Sequence, residues 1–227
     1  MMLNIGHRGA SEYEPEDTIR AFKKALEIGV DALGIDVHVC ATGEVVVIHD
    51  NRVDRTTDGF GNVSEKNLHV LKELKTRDNE RIPTLQEAFE FVNKRAKFDI
   101  ELKENGCAAP THEVIRHYVD VEGWKNEDIF ISSFLKTELE AYRALDATAL
   151  LSVLSNWTSS EVFEFAEKIR AYSLNINFLS LDLDGVREIH KRGFKVFAWT
   201  VNEKEDIEKM KSMGVDGIFS DFPDRVL

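Results

Sequence analysis

The sequence predicts an α/β fold, a distorted (β/α)8 barrel of the TIM type. Three observations predict it. Short apolar, β-branched runs alternate with amphipathic segments along the chain, the pattern of a parallel sheet with helices outside it. Roughly eight such repeats fill 227 residues, which favours closure into a barrel over an open sheet. Charged and titratable residues also stand at the ends of several apolar runs, where they are costly unless paired or bound. In a barrel those ends form a single mouth.

The elements follow in order. Strand candidates are Leu3 to His7, Ala32 to Val39, Val45 to His49, Lys97 to Lys103, Ile129 to Phe134, Ala149 to Leu154, Leu174 to Leu181, Val196 to Val201 and Gly217 to Ser220. Between most of them run helical spacings: Ile19, Phe22, Ala25 and Leu26; Leu85, Ala88, Phe89 and Val92; Val162, Phe163, Ala166 and Ile169. Each gives a helix one apolar face. Thr84 with Glu87, and Thr158 with Glu161, have the spacing of a capping box. Gly29, Gly193 and Gly214 are placed to end helices. Gly29-Val30-Asp31-Ala32-Leu33 is echoed by Gly214-Val215-Asp216-Gly217-Ile218, two helix-to-strand joints of one type.

Two departures from a regular barrel are expected. Nine strand candidates compete for eight places, so one lies outside. The link from Val39 to Val45 is too short for a crossover helix and holds Thr42-Gly43, which reads as a tight turn. The polar stretch 51–82, with one short helical piece around Leu68, Leu71 and Leu74, reads as an insertion after the third strand, lying over the barrel mouth. The whole chain, 1–227, reads as one domain.

Composition narrows the function classes. A formal net charge of −12 disfavours nucleic acid and anionic membranes as partners through bulk electrostatics. Two cysteines, Cys40 and Cys107, exclude a disulfide framework and make a cysteine metal cluster improbable. Met1-Met2-Leu3-Asn4 runs straight into the first strand without a signal peptide, and no apolar run approaches membrane-spanning length. The expected location is the cytoplasm, with no stable membrane insertion. Oligomeric state is left open, a homo-oligomer included.

The chemistry-bearing candidates cluster at the predicted strand ends: His7, Arg8, Glu16, Asp36, His38, His49, Asp50, Glu101, Lys103, Trp199 and Asp221. Asp36 and His38 share a strand face, as do Glu101 and Lys103. Carboxylates suit a hard divalent cation such as Mg²⁺ or Ca²⁺. Arg8 and Lys103 suit a phosphate. Two histidines suit a general acid and a general base near neutral pH. Together they point to metal-assisted phosphoester chemistry. His69, His112, His117 and His190 lie in helical or loop surroundings and read as structural.

At this point the motifs resemble those of the glycerophosphodiester phosphodiesterases. His7-Arg8-Gly9, Pro15-Glu16-Asp17-Thr18, Val47-Ile48-His49-Asp50, Glu101-Leu102-Lys103, Ser132-Ser133-Phe134, Trp199-Thr200-Val201-Asn202 and Ser220-Asp221-Phe222-Pro223 fall in the family's order across essentially the whole chain. The resemblance implies hydrolysis of a small glycerophosphodiester to glycerol 3-phosphate and an alcohol. It implies His7 and His49 as the acid–base pair, acting through a cyclic phosphate. Arg8 and Lys103, with Phe134 and Trp199, would contact substrate. Glu16, Asp36 and Glu101 would serve the metal.

Two positions depart from the family pattern. Asp17 stands where Asn is usual. Gly34 stands where a Glu-x-Asp pair needs its Glu, which removes one carboxylate. Three outcomes are then open: a water fills the gap, His38 reaches the ion, or the site is weakened to inactivity. Retained but weaker binding is expected, with a gain on restoring glutamate at position 34. A histidine ligand would shift preference toward Mn²⁺, Co²⁺ or Zn²⁺. Two other functions stay in view. One is a cyclising phospholipase D-like activity on lysophospholipids, needing an apolar mouth from Phe60, Phe134, Phe178 and Trp199. The other is a relative that binds phosphodiesters without turnover.

Overall fold

The structure, a computed structural model, describes residues 2–227. Among them are nine strands: β1 (Leu3–His7), β2 (Ala32–Val39), β3 (Val45–Val47), β4 (Lys97–Leu102), β5 (Ile129–Ser133), β6 (Leu150–Ser155), β7 (Ser173–Asn177), β8 (Lys195–Trp199) and β9 (Gly217–Ser220). Eight of them are parallel and close on themselves in the order β1-β2-β4-β5-β6-β7-β8-β9, with β9 returning to β1. The helices are α1 (Ile19–Ile28), α2 (Leu68–Glu73), α3 (Leu85–Val92), α4 (Ala108–Asp120), α5 (Lys136–Leu145), α6 (Ser160–Lys168), α7 (Leu183–Lys191) and α8 (Lys204–Met213). All but α2 lie between barrel strands. The seventh strand is shorter than its apolar run suggests, because Phe178–Ser180 turn into a 3-10 helix held by Asn177.

The ninth candidate resolves as β3. It pairs antiparallel with the far end of β2, Val37 opposite Val47 and Val39 opposite Val45, outside the barrel. The hairpin turns through Thr42-Gly43, as the short link requires.

Helix ends follow local chemistry. Thr84 and Glu87 form the expected capping box on α3. On α6 the cap is Ser159, whose hydroxyl accepts from Val162 N at 3.2 Å, in place of the Thr158–Glu161 box expected from spacing. Adjacent hydroxyls compete for this role, and Ser159 is the last residue with extended backbone. Gly29 and Gly214 end α1 and α8 in the left-handed conformation, which glycine adopts without a Cβ clash.

The insertion has a core of its own. Val53, Val63, Leu71 and Ile82 pack with Val46 and Ile48 of the β3 segment. That anchors it to the β2–β3 hairpin beside the mouth. No helix among the described residues is long and apolar enough to cross a membrane.

Inside the barrel the filling changes character. Ile5, Ala32, Phe197 and Phe219 form an apolar plug. On the β4–β7 side lies a buried polar layer. Ser132 Oγ donates to Asp99 Oδ1 at 2.5 Å, Asn175 Nδ2 donates to Asp99 Oδ2 at 3.2 Å, and Ser173 Oγ donates to Asn175 Oδ1 at 2.9 Å.

Candidate active site

A cavity of about 120 Å³ opens at the C-terminal ends of the barrel strands. It is lined by His7 and Arg8 from β1 and its loop, Asp36 from β2, His49 after β3, and Glu101 and Lys103 from β4 and its end. Ser132, Phe134, Leu154 and Trp199 line the rest of the wall, and Phe219 of β9, the neighbour of β1, lies against Gly34. The arrangement follows from strand alternation: Asp36 is in register with Glu101 on the neighbouring strand, so both carboxylates enter the mouth side by side.

Each histidine is oriented by a carboxylate. His7 Nδ1 donates to Asp221 Oδ1 at 2.7 Å, and Asp221 also accepts from Ser11 Oγ and Asn202 Nδ2. His49 Nδ1 donates to Asp50 Oδ1 at 2.6 Å. A carboxylate can only accept, so the ring proton sits on Nδ1 and Nε2 is left for a ligand. Burial raises Asp221, but His7 and the other donors outweigh it and hold the group at about 2. Burial holds the His49 imidazolium below its ordinary range, despite the opposing pull of Asp36. His49 is therefore a neutral ring at pH 7.

The charged groups form one chain. Arg8 lies 3.1 Å from Asp36 and 2.8 Å from Glu16; Lys103 lies 2.7 Å from Glu101 and 3.5 Å from Asp36. Burial opposes the charge on Asp36, but Lys103 and Arg8 overcome it and keep the group ionised. Glu101 behaves differently: burial, with Asp36 beside it, pushes it up to about 8. Arg8 itself sits at positive φ, between a strand end and Gly9. Gly9 is required there, because a Cβ would lie 2.7 Å from the backbone of Ala21.

Two expected residues are placed elsewhere. His38, a candidate metal ligand, does not line the cavity. Its Nε2 donates to the His49 carbonyl at 3.1 Å and its Nδ1 lies 3.3 Å from Glu104 Oε2. The physical reason is the hairpin: beyond Gly34 the strand has parted from β1, and Val37–Val39 pair with β3 instead, past the mouth. His38 thus supports the His49 backbone. Glu16 is also outside the cavity lining, taken up by Arg8 and Arg55. Of the supposed apolar mouth, Phe134 and Trp199 are in place, edge to face with centroids 5.6 Å apart. Phe178 packs against the main core and Phe60 stands exposed on the insertion.

Three residues not anticipated from sequence take part. Arg55, from the insertion, donates to both oxygens of Glu16 and both of Asp50, at 2.6–3.2 Å. It joins the partners of Arg8 and His49, and with its hydrogen bond Asp50 is held at about 2. Nothing distinguishes Arg55 from Arg52 in the sequence. Asp99 lies in register with Gly34 and lines the cavity floor, where burial pushes it up to about 7. Its signal was available, since Asp99, Glu101 and Lys103 alternate on one strand face. Phe219 is the third. A Cβ on Gly34 would meet its ring at 2.9 and 3.0 Å. The ring thus occupies the place of a side chain at position 34. Asp17 is explained by burial: with Asp36 nearby it is pushed well above the usual carboxylate range, and a neutral carboxyl resembles the amide of asparagine.

The donor set fits a hard divalent ion in kind. Asp36 Oδ2 accepts no well-aligned hydrogen bond, and burial with Asp36 alongside holds Glu101 up at about 8, which a cation between the two carboxylates would relieve. It is thin in number: no cluster of three or more His, Cys, Asp or Glu poised for a metal occurs among the described residues.

Known proteins bear on this geometry. A model of the glycerophosphoryl diester phosphodiesterase family matches residues 7–225. A glycerophosphodiester phosphodiesterase of Caldanaerobacter subterraneus is 36% identical, over 99% of this chain and 96% of its own. One from Bacillus altitudinis is 32% identical, over 98% and 96%. The solved structure of an Oleispira antarctica phosphodiesterase in complex with the product sn-glycerol-3-phosphate is similar with a TM-score of 0.90 at 29% identity, covering 98% of this chain and 94% of that one. A Thermotoga maritima glycerophosphodiester phosphodiesterase structure has a TM-score of 0.78 at 27% identity, covering 99% and 96%.

Proposed function

The chain belongs to the glycerophosphoryl diester phosphodiesterase family, and from that membership we propose that its cavity hydrolyses small glycerophosphodiesters to glycerol 3-phosphate and an alcohol. The observation that carries the mechanism is the pair of histidines lining one cavity, each with Nδ1 on an ionised carboxylate and Nε2 free for substrate.

Arg8 and Lys103 hold the non-bridging phosphate oxygens, Arg8 through its planar fork and Lys103 as a point charge. His49, neutral at pH 7, takes the proton of the glycerol 2-hydroxyl, whose oxygen then attacks phosphorus. His7 delivers a proton to the departing alcohol oxygen, and Asp221 stabilises the imidazolium from which it comes. The product of this half-reaction is a five-membered cyclic phosphate. Water opens it with the histidines in reversed roles, and the released ester bond leaves glycerol 3-phosphate. Each histidine contributes about 10²–10⁴ in rate, roughly 3–5 kcal/mol of barrier.

Asp36 and Glu101 are the residues that would hold a divalent cation, Mg²⁺ or Ca²⁺ by the all-oxygen character of the donors. When bound, such an ion neutralises charge developing on the phosphate. The test is incubation with glycerophosphoglycerol, glycerophosphocholine and glycerophosphoethanolamine, with chelator and with a metal panel, followed by phosphorus NMR. Glycerol 3-phosphate that appears only with added metal supports the reading. Turnover undiminished in chelator refutes the metal, and no product from any of the three refutes the substrate class.

A further inference from the structure

Beside the mouth, between the loop after β1 and the insertion, lies a second and polar groove of about 200 Å³. It is lined by Ser11 and Glu16 from the loop and by Arg55, Thr56, Thr76 and Arg77 from the insertion. Glu16, Thr56 and Thr76 continue from it into a narrow crevice that reaches His49. The groove is held in shape by its own walls. Thr57 and Thr76 form an antiparallel bridge that ties the two insertion segments together, and Arg55 clamps Glu16 across the gap at 2.7 Å.

Hydrogen bonds tie this groove to both histidines. Ser11 Oγ donates to Asp221 Oδ1 at 2.8 Å, and the same carboxylate accepts from His7 at 2.7 Å. Arg55 donates to Asp50 at 2.6 Å, and Asp50 accepts from His49 at 2.6 Å. Each carboxylate that orients a histidine is therefore bonded to a wall residue of the groove. The lining is chemically one-sided: three hydroxyls, a carboxylate and two guanidinium groups. The charge of Arg55 is answered by Glu16 and Asp50. Arg77 has only Asp78 at 3.9 Å, so its fork of donors is free for a ligand. No aromatic ring is among the lining residues to receive a quaternary ammonium.

We propose that this groove is the subsite for the departing alcohol, and that it selects a polyhydric alcohol such as glycerol or inositol over the cationic alcohols choline and ethanolamine. The proposal rests on the reading that the neighbouring cavity turns over glycerophosphodiesters with His7 as proton donor to the departing oxygen. An alcohol leaving beside His7 has the Ser11 wall only two hydrogen bonds away. Neighbouring hydroxyls both donate and accept, which matches a wall that mixes Glu16 with hydroxyls and guanidinium donors. An ammonium group would instead meet the uncompensated charge of Arg77, a repulsive element that sharpens selection.

The experiment compares kcat/KM for the glycerophospho-esters of inositol, glycerol, choline and methanol, the methyl group being too short to fill the groove. One hydrogen bond is worth about two- to tenfold. The inositol and glycerol esters are expected to exceed the choline ester by about tenfold or more, as two such bonds provide. Thr56→Val and Arg77→Ala are each expected to lower kcat/KM for the inositol ester about two- to tenfold more than for the methyl ester. Arg77→Glu is expected to raise the choline ester relative to the inositol ester. Equal values across the esters, or a lead for choline, overturn the subsite, as does a preference that all three variants keep. Saturation-transfer NMR with free inositol separates the two readings. Contact that Arg77→Ala abolishes, with no ester hydrolysed, keeps the groove and sinks the reaction. Hydrolysis without an alcohol preference does the reverse, and neither contact nor hydrolysis sinks both.

Discussion

Gly34 invites a substitution whose outcome depends on a residue nearly two hundred positions away. Glutamate at 34 would add a third carboxylate beside Asp36 and Glu101. In the fold, a Cβ there lies 2.9 Å from Cε1 and 3.0 Å from Cδ1 of Phe219. Optimal carbon contacts are about 3.5–4.0 Å, and Phe219, only 6% exposed, is wedged with Ile5, Ala32 and Phe197. Overpacking of this kind costs about 1–3 kcal/mol. At about 2–4 °C per kcal/mol for a domain of this size, Gly34→Glu alone is expected to lower Tm by about 2–12 °C. It is expected to bind metal no better than the parent, because the side chain cannot seat. Phe219→Ala alone costs about 3–5 kcal/mol through the cavity it leaves. The double variant places the new side chain in that space, so its loss falls short of the sum by about 1–3 kcal/mol. Its added charge is worth about 8 kcal/mol to a divalent cation about 4 Å away at a surface-like dielectric, twice the unit-charge value. If repulsion among the carboxylates and desolvation remove five-sixths of this, about tenfold in affinity remains. The assays are calorimetric titration with Ca²⁺ and Mn²⁺ and a thermal melt of all four proteins. Tighter metal binding by Gly34→Glu alone, at undiminished Tm, refutes the claim that the Phe219 ring holds this place.

Other consequences follow from the same contacts. His7→Ala and His49→Ala are each expected to lower kcat by about 10²–10⁴ with Tm little changed; full activity in either removes that histidine from the mechanism. Arg55→Ala should lower kcat/KM by about 10–100-fold, as loss of an orienting partner does. It should also move the acidic limb of the pH–rate profile upward, because an Asp50 freed of Arg55 stabilises the His49 imidazolium more strongly. An unmoved limb would make Arg55 merely structural. For Asp221 the folded-state value of about 2 lies below the unfolded value of 3.8, so its stabilisation is present above about pH 4 and lost as pH falls toward 2. Discounted for partial exposure, that is about 1–2 kcal/mol. Urea melts from pH 7 to 2 should show the gap between wild type and Asp221→Asn narrowing across that window, and a gap constant with pH would contradict it.

Where the sequence was readable, one-dimensional physics sufficed. Strand length, two-residue alternation and helical spacing located every barrel strand and put Asp36, Glu101 and Lys103 on inward faces, because side-chain direction in a strand depends only on the count along the chain. Spacing also showed that Val39 to Val45 could not hold a helix, though not that β3, rather than another candidate, would be the strand left outside. The capping of α6 slipped by one residue because Thr158 and Ser159 are locally equivalent.

The sequence by itself determined the barrel, the insertion and the set of charged residues at one mouth, since each follows from periodicity or from short motifs. Only the tertiary structure decided how those residues divide their work. His38 shares a strand face with Asp36, yet a hairpin carries it away from the cavity to brace His49. Glu16 looks like a metal carboxylate, yet an arginine from the insertion claims it. The missing side chain at Gly34 looked like a gap in the site, yet Phe219 from the last strand fills it. The Phe219 contact is set by how the closed barrel brings β2 and β9 together, and the other two by how the hairpin and the insertion fold back beside the mouth; no local pattern carries that information.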